Sequence, residues 1–332
     1  MTRKRKTEQS QSTDAKATKI DLNQPRPLSL HDIKSIIQID NSISLLEIIN
    51  NGQFQATIAS LQGSSANTLL VYACDFDAIE CAKVLLANGA DVNYESVNGR
   101  TIIDSACLCE NTGLVDLILL QDHLETSQLY KLAYRDIRSS ATTEILKLLL
   151  TRIPDINRVS PTGARLLNNA CYHGNLPAVQ LLLQCGAHIS STGYKNDDTL
   201  CSAAVGGHLD VIQFLLESDP SYNIPRASVT AALLCACEDD NIELVSYLIS
   251  KGADVNAVDE DDASAIAMAI RNNNITLATL LLKSGADANS KFEDHSLLFL
   301  AFIYSKLEMV SLLLNSGVDP NADGSDPLHW VR

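Results

Sequence analysis

The chain has 332 residues, 46% of them apolar and 5% aromatic, which is enough to bury a sizeable core. Its 40 acidic and 25 basic side chains leave a net charge of −15, the wrong sign for a surface that grips phosphates. Apolar runs stay short of the roughly 18 residues that a membrane span needs, and the basic start "MTRKRK" leads into polar sequence, so neither a span nor a secretory signal is expected.

Residues 1–27 come first in chain order. The first twenty carry six basic and two acidic side chains, too polar a stretch to bury a core, and the segment is expected to be a disordered basic tail that ends at Pro25-Arg26-Pro27. Arg3, Lys4, Arg5 and Lys6 fit a nuclear import signal and fit a solvated tail equally. Residues 28–67 follow as a capping helix and a truncated unit. Ser29 and Asp32 form a capping pair, and Leu30, Ile33, Ile36 and Ile37 give a helical stripe that covers the exposed end of "LLEIINNGQFQATIASL", Leu45 to Leu61.

From residue 68 to 325 one phrase keeps returning: "NGADVN" ends at Asn93, "KGADVN" at Asn256 and "SGADAN" at Asn289. Aligned on it, units begin at Thr68, Thr101, Gln128, Arg165, Asp198, Ala231, Ser264 and Ser296, and another at Asp326, with steps of 33, 27, 37, 33, 33, 33, 32 and 30 residues. A period this short describes one small unit stacked many times. Each unit reads as two short helices. In the Ala231 unit a polar turn at Asp240-Asn241 precedes "ELVSYLISKG", whose apolar residues recur at helical steps and whose Gly252 supplies a left-handed stop. Five to ten loop residues then reach to the next unit. Small pairs such as Ala73-Cys74, Ala170-Cys171 and Ala203-Ala204 allow close helix approach. Double leucines such as Leu85-Leu86, Leu182-Leu183 and Leu281-Leu282 need a neighbour to bury them.

The period, the "GADVN" phrase and the fragments "GGHLDVIQFLLES" and "DPLHWV" resemble the ankyrin repeat, from about Ile43 to Arg332. The resemblance implies an all-α solenoid of stacked helix-turn-helix units with projecting hairpin loops, expected as one continuous, monomeric array. Most units lack the family's opening T-P-L-H, of which Asp326-Pro327-Leu328-His329 keeps the last three letters. The Gln128 unit departs furthest, with "SSATT" between its helices and Pro154 where the family has alanine, and a local irregularity is expected there. Residues 326–332 start a further, incomplete repeat, so the sequence reads as a fragment of a protein with more repeats.

Nine cysteines raise the question of metal or disulfides. Cys107 and Cys109, like Cys235 and Cys237, stand two apart on a helix and point to different sides, so neither pair clamps an ion. Cys74, Cys107, Cys171 and Cys237 share the slot that holds Ala204 and read as small buried residues. Unpaired thiols suit a reducing, intracellular and cytoplasmic setting. No phosphate-binding glycine loop, nucleophile elbow or H-E-x-x-H occurs, and the resemblance gives His208 and His329 structural roles. No enzyme activity, catalytic residue, metal or cofactor is expected.

The acid is concentrated. Between Ala231 and Asp262 nine acidic residues face Lys251 alone, which makes a basic segment of a protein partner the expected ligand and solubility the plainer explanation. In ankyrin proteins the end of the first helix lines the concave groove and the next loop projects beside it. By that resemblance Glu238, Asp239, Asp259, Glu260, Asp261 and Asp262 converge on one ligand. Tyr194, Phe292 and Tyr304 are candidate aromatic anchors, with packing between units as the alternative; Tyr72, Phe76, Tyr94 and Tyr172 are weighed in the same way. The resemblance also makes Asn93 and Asn256 candidate sites of asparaginyl hydroxylation, since each ends an L-x-x-x-x-x-D-V-N phrase; the alternative is an asparagine that stabilises its loop. Two functions remain in view: a non-catalytic protein-interaction scaffold, or the recognition or regulatory arm of a larger enzyme, channel or ubiquitin-ligase subunit.

Overall fold

The computed structural model describes residues 29–50, 65–96, 99–109, 111–139, 143–160, 165–191, 198–218, 222–293, 295–304 and 306–320. They fall into two compact units, Met1–Leu124 and Glu125–Arg332. The basic tail, Tyr194 and the Asp326 to Arg332 segment lie outside the described residues.

The first unit holds α1 (Leu30–Gln38), α2 (Ser42–Asn50), α3 (Ser65–Asp75), α4 (Ile79–Ala87), α5 (Ile102–Leu108) and α6 (Thr112–Leu119). Helix α1 starts where the sequence predicts. The Asp32 N–H donates to Ser29 Oγ at 3.3 Å, and the Ser29 N–H donates back to Asp32 Oδ2 at 2.9 Å. Ile33, Ile36 and Ile37 are buried, and α1 packs on α2 and α3. Thr101 and Asp104 repeat the same reciprocal cap at α5.

The second unit holds α7 (Thr126–Ser139), α8 (Thr143–Leu150), α9 (Leu166–Tyr172), α10 (Leu176–Gln184), α11 (Thr199–Val205), α12 (Leu209–Glu217), α13 (Arg226–Glu238), α14 (Ile242–Ser250), α15 (Ala265–Arg271), α16 (Ile275–Lys283), α17 (Leu297–Ile303) and α18 (Leu307–Asn315). The hairpin β1 (Lys291–Phe292) and β2 (His295–Ser296) precedes α17. First helices pack in series, α7 on α9, α9 on α11, α11 on α13, α13 on α15 and α15 on α17. The slot that permits this is small and dry: Ala170, Cys171, Ala203, Ala204, Ala236, Cys237 and Ala269 are fully buried. Larger side chains there would hold the helices apart. Cys74 is also fully buried, whereas Cys107 is only half-buried, and Ala106 takes the dry position beside it.

Second helices carry their own caps. Asn111, Asn175, Asn241 and Asn274 each accept the backbone N–H three residues on, at 2.9 to 3.1 Å. His208 takes the same slot without a side-chain cap, and its imidazole packs on Gly174 and Gly206 instead. At the far end of α14, Gly252 has φ +88, a conformation that a Cβ would strain.

Two elements depart from the repeat spacing. Helix α7 of the irregular unit runs 14 residues, against seven for α9, α11, α15 and α17. Helix α13 runs 13 residues and begins at Arg226, five positions before the expected start at Ala231. Pro225 is its N-cap, and "RASVTAALLCACE" contains no glycine or proline to stop a helix earlier.

Candidate functional site

The extra turns of α13 help to form a sizeable cleft. Arg226, Ala227, Thr230, Ala231, Leu234 and Glu238 follow one face of the helix at three- and four-residue steps. Opposite them runs the loop after α14, through Asp254, Ala257, Val258, Asp259, Glu260 and Asp261, with Met268 of α15 beneath. The cleft is open to solvent and has a volume of about 720 Å³. Met268 and Leu234 are almost wholly buried, while Val258 is 49% exposed at the edge.

The loop is held in place from both sides. The Asp254 N–H donates to Thr230 Oγ1 at 3.0 Å, which ties the loop to the added turns of α13. Asp259 shapes the tip: its Oδ1 accepts the N–H groups of Asp261 at 2.9 Å and Ala263 at 2.8 Å, and its own N–H donates to the Ala263 carbonyl. This is the Asx-turn chemistry that short carboxylates supply. Asp262 closes the turn with φ +59. A bridge between Val258 and Ser264 completes the hairpin-like tip.

Of the six acids singled out in the sequence, Glu238, Asp259, Glu260 and Asp261 line this cleft. Asp239 and Asp262 do not. Asp239 is the C-cap residue of α13, and Asp262 holds the left-handed position of the loop turn. Asp254 and Asp259 spend carboxylate oxygens on the loop, and Glu238, Glu260 and Asp261 stand exposed at the cleft. Lys251, the one base of the acidic stretch, does not neutralise them. Its Nζ lies 2.7 Å from Glu217 Oε1, which also accepts the Tyr247 hydroxyl at 2.8 Å. The hydrogen bonds from Lys251 and then Tyr247 hold the Glu217 carboxyl below its ordinary range, and the bond to Glu217 raises the Lys251 ammonium above its own.

Phe292 and Tyr304 come together one unit further on. With Ala263, Ala267, Arg271, Leu300 and the same Met268 they line a gap of only about 10 Å³, the lower limit for a single water. Tyr304 is 44% exposed. Three other aromatics make local contacts: the Tyr72 and Phe76 rings lie 4.5 Å apart with Lys34 over Tyr72, and Tyr172 meets His173 edge-on.

Asn93 and Asn256 serve as staples between successive loops. Asn93 Nδ2 donates to the His123 carbonyl at 2.6 Å. Asn256 Nδ2 donates to the Gly285 carbonyl at 3.1 Å, and its Oδ1 accepts the Asp287 N–H at 2.7 Å. Asn157 makes the same pair of bonds to Gly186 and His188.

The thiols lie away from any cluster of ligands. Among the described residues no three His, Cys, Asp or Glu side chains gather so as to hold a metal ion. Burial pushes the Cys74, Cys81 and Cys237 thiols up to about 12. Cys201 is driven up by its hydrogen bond with Cys235 and then by burial. Thiols held protonated in this way are poor nucleophiles. Among the described residues no helix is long and apolar enough to cross a membrane.

Residues that sequence reasoning did not single out complete the cleft: Arg226, Thr230, Leu234, Val258 and Met268. The available signal was Pro225, which marks an early helix start.

Stacked helix pairs with hairpin-like connecting loops define an all-α repeat solenoid. Models described as "Ankyrin repeats (3 copies)" match residues 136–226 and 224–292, and one described as "Ankyrin repeats (many copies)" matches 70–119. The chain belongs to the ankyrin repeat family. It is also similar to the E3 ubiquitin-protein ligase HACE1 of Xenopus tropicalis and of Xenopus laevis, 28% identical to each over 86 residues, or 26% of this chain. The matched stretch spans only 9% of the length of those ligases.

Proposed function

We propose that the chain is a protein-interaction scaffold that performs no chemistry itself and holds a basic segment of a partner against the α13 cleft. Charge carries the reading. Five carboxylates line the cleft against one guanidinium, Arg226, and Lys251, the one base between Ala231 and Asp262, is paired with Glu217. Complementary charge speeds encounter and selects partners more than it adds raw affinity. The repeat architecture supports the same view, because rigid stacked units present an extended surface without an enclosed active site.

The test is photo-crosslinking in cells that express the full chain with a photoreactive residue in place of Val258. A defined protein joined through a Lys- or Arg-rich segment is expected. Failure to trap any protein at Val258 or at a second cleft position, Ala227, would remove the reading.

A second reading rests on the likeness to HACE1. In it the same repeats act as the recognition arm of a ligase, and the protein purified from its natural source transfers ubiquitin to what the repeats bind. A preparation that binds its partner and transfers no ubiquitin excludes this version alone.

A further inference from the structure

The cleft beside α13 arises because one unit departs from its neighbours. In the units of α11, α15 and α17 the first helix has seven residues. In this one, Arg226 to Thr230 continue the helix backwards and raise a wall opposite the 254–261 loop. The floor between wall and loop is apolar, made of Leu234 and Met268, with Ala227 and Ala231 on the helix beside it. Ala227 and Ala231 are the small residues that leave the space open. Val258 adds a half-exposed apolar edge.

We propose that this cleft seats an extended segment of a partner protein in which a single aliphatic side chain is flanked on both sides by Lys or Arg. The inference rests on the scaffold reading above and assigns it a ligand chemistry. Successive side chains of an extended segment point to opposite sides. A side chain directed at the Leu234 and Met268 floor therefore turns its two neighbours outward, toward the rim. The rim is where the carboxylates stand: Glu238 on the helix, and Glu260 and Asp261 on the loop, all three exposed. Lys and Arg suit those neighbouring positions, because their long stems lie along apolar surface while the charge reaches the edge. Arg226 stands about 18 Å of helix axis from Glu238, at 1.5 Å per residue, and repels cations at that end. The volume of about 720 Å³ is in the range of ligand pockets, roughly 300 to 1,000 Å³.

The test uses the full chain and a phage-displayed random heptapeptide library. The expected result is enrichment of peptides with Leu, Ile, Val or Met between basic residues. A synthetic peptide of the enriched sequence, followed by fluorescence anisotropy, should bind roughly tenfold more weakly to the double variant Glu260→Lys, Asp261→Lys, and more weakly as salt rises. Replacing its central aliphatic residue by Ser should cost a similar factor. Ala231→Trp, which fills the cleft, should abolish binding while circular dichroism and melting temperature stay near the parent values. If Ala231→Trp unfolds the chain, Ala227→Leu serves as the milder filler. No enrichment, enrichment without basic residues, or binding that ignores both the charge reversal and both fillers overturns the proposal. Peptides that bind elsewhere on the chain leave the scaffold reading standing, whereas absence of any trapped partner in cells removes that reading itself.

Discussion

Asn256 shows how one side chain serves the array. Its amide donates to the Gly285 carbonyl and accepts from the Asp287 N–H, so Asn256→Ala leaves two loop groups to water. Because the site is exposed, a loss of about 1 kcal/mol is expected, read as a lower midpoint in urea. Ser228 is the opposite case. It is fully buried and its Oγ has no hydrogen-bond partner, so Ser228→Ala should raise stability by about 1 kcal/mol, and an unchanged or lower midpoint would count against the assignment. Gly206 lies under the Tyr172 carbonyl and the His208 ring, where a Cβ has no room. Gly206→Ala should cost about 1 to 3 kcal/mol by overpacking, visible as a lowered melting temperature. Asp136 makes stability depend on pH. Burial pushes its carboxyl up to about 6, against the smaller opposing pulls of Arg135 and the Leu146 N–H. The fold favours the protonated form, so this contribution is fully present below 3.8, the unfolded value, and is lost as pH rises through about 6. Titration of the stability difference between the parent and Asp136→Asn should show the variant gaining on the parent between pH 4 and 7.

At the scale of the element, α13 decides where the cleft is. Its first turns have no counterpart in α11 or α15, yet they carry Thr230, which anchors the 254–261 loop through the Asp254 N–H. Ala231→Pro removes a helix hydrogen bond and clashes with the preceding turn, at a cost of about 3 kcal/mol or more in a helix interior. Hydrogen exchange read by mass spectrometry should then show protection lost over residues 226–234 and retained in α15 and α16. Loss of protection through α16 would mean that the added turns support the neighbouring units and do not merely wall the cleft. The acids on the facing loop have divided roles. Asp259 builds the turn, so a variant that removes it alters loop shape as well as charge, while Glu260 and Asp261 change charge alone.

At the scale of the molecule, repeat units touch mainly their neighbours, and stability is close to a sum of local terms. The described residues form two compact units that meet in sequence at Leu124 and Glu125, just before the unit whose spacing is least regular. Unfolding is therefore expected in more than one step. Amide exchange should give different opening free energies for α3 to α6 and for α9 to α16. A single opening free energy shared by all slow amides would show instead that the chain unfolds as one cooperative body.

Much of this was legible in the residues themselves. The period, the left-handed stop at Gly252, the cap at Ser29 and the small slot at Ala204 and Cys237 are local features, because helix termination, capping and close helix approach depend on residues a few positions apart. Glu238, Glu260 and Asp261 could likewise be placed on one side of one unit by counting along the repeat. Which acids face the cleft depended on long-range geometry. Asp259 was drawn into the turn by the N–H groups of Asp261 and Ala263, Lys251 was taken out of the acidic stretch by Glu217 of the preceding unit, and the wall at Arg226 to Thr230 formed because α13 could extend back to Pro225 while packed on α11. Those outcomes rest on hydrogen bonds and burial between segments up to some thirty residues apart. The repeat period told which units are neighbours, and only the folded backbone set where their donors and carboxylates meet.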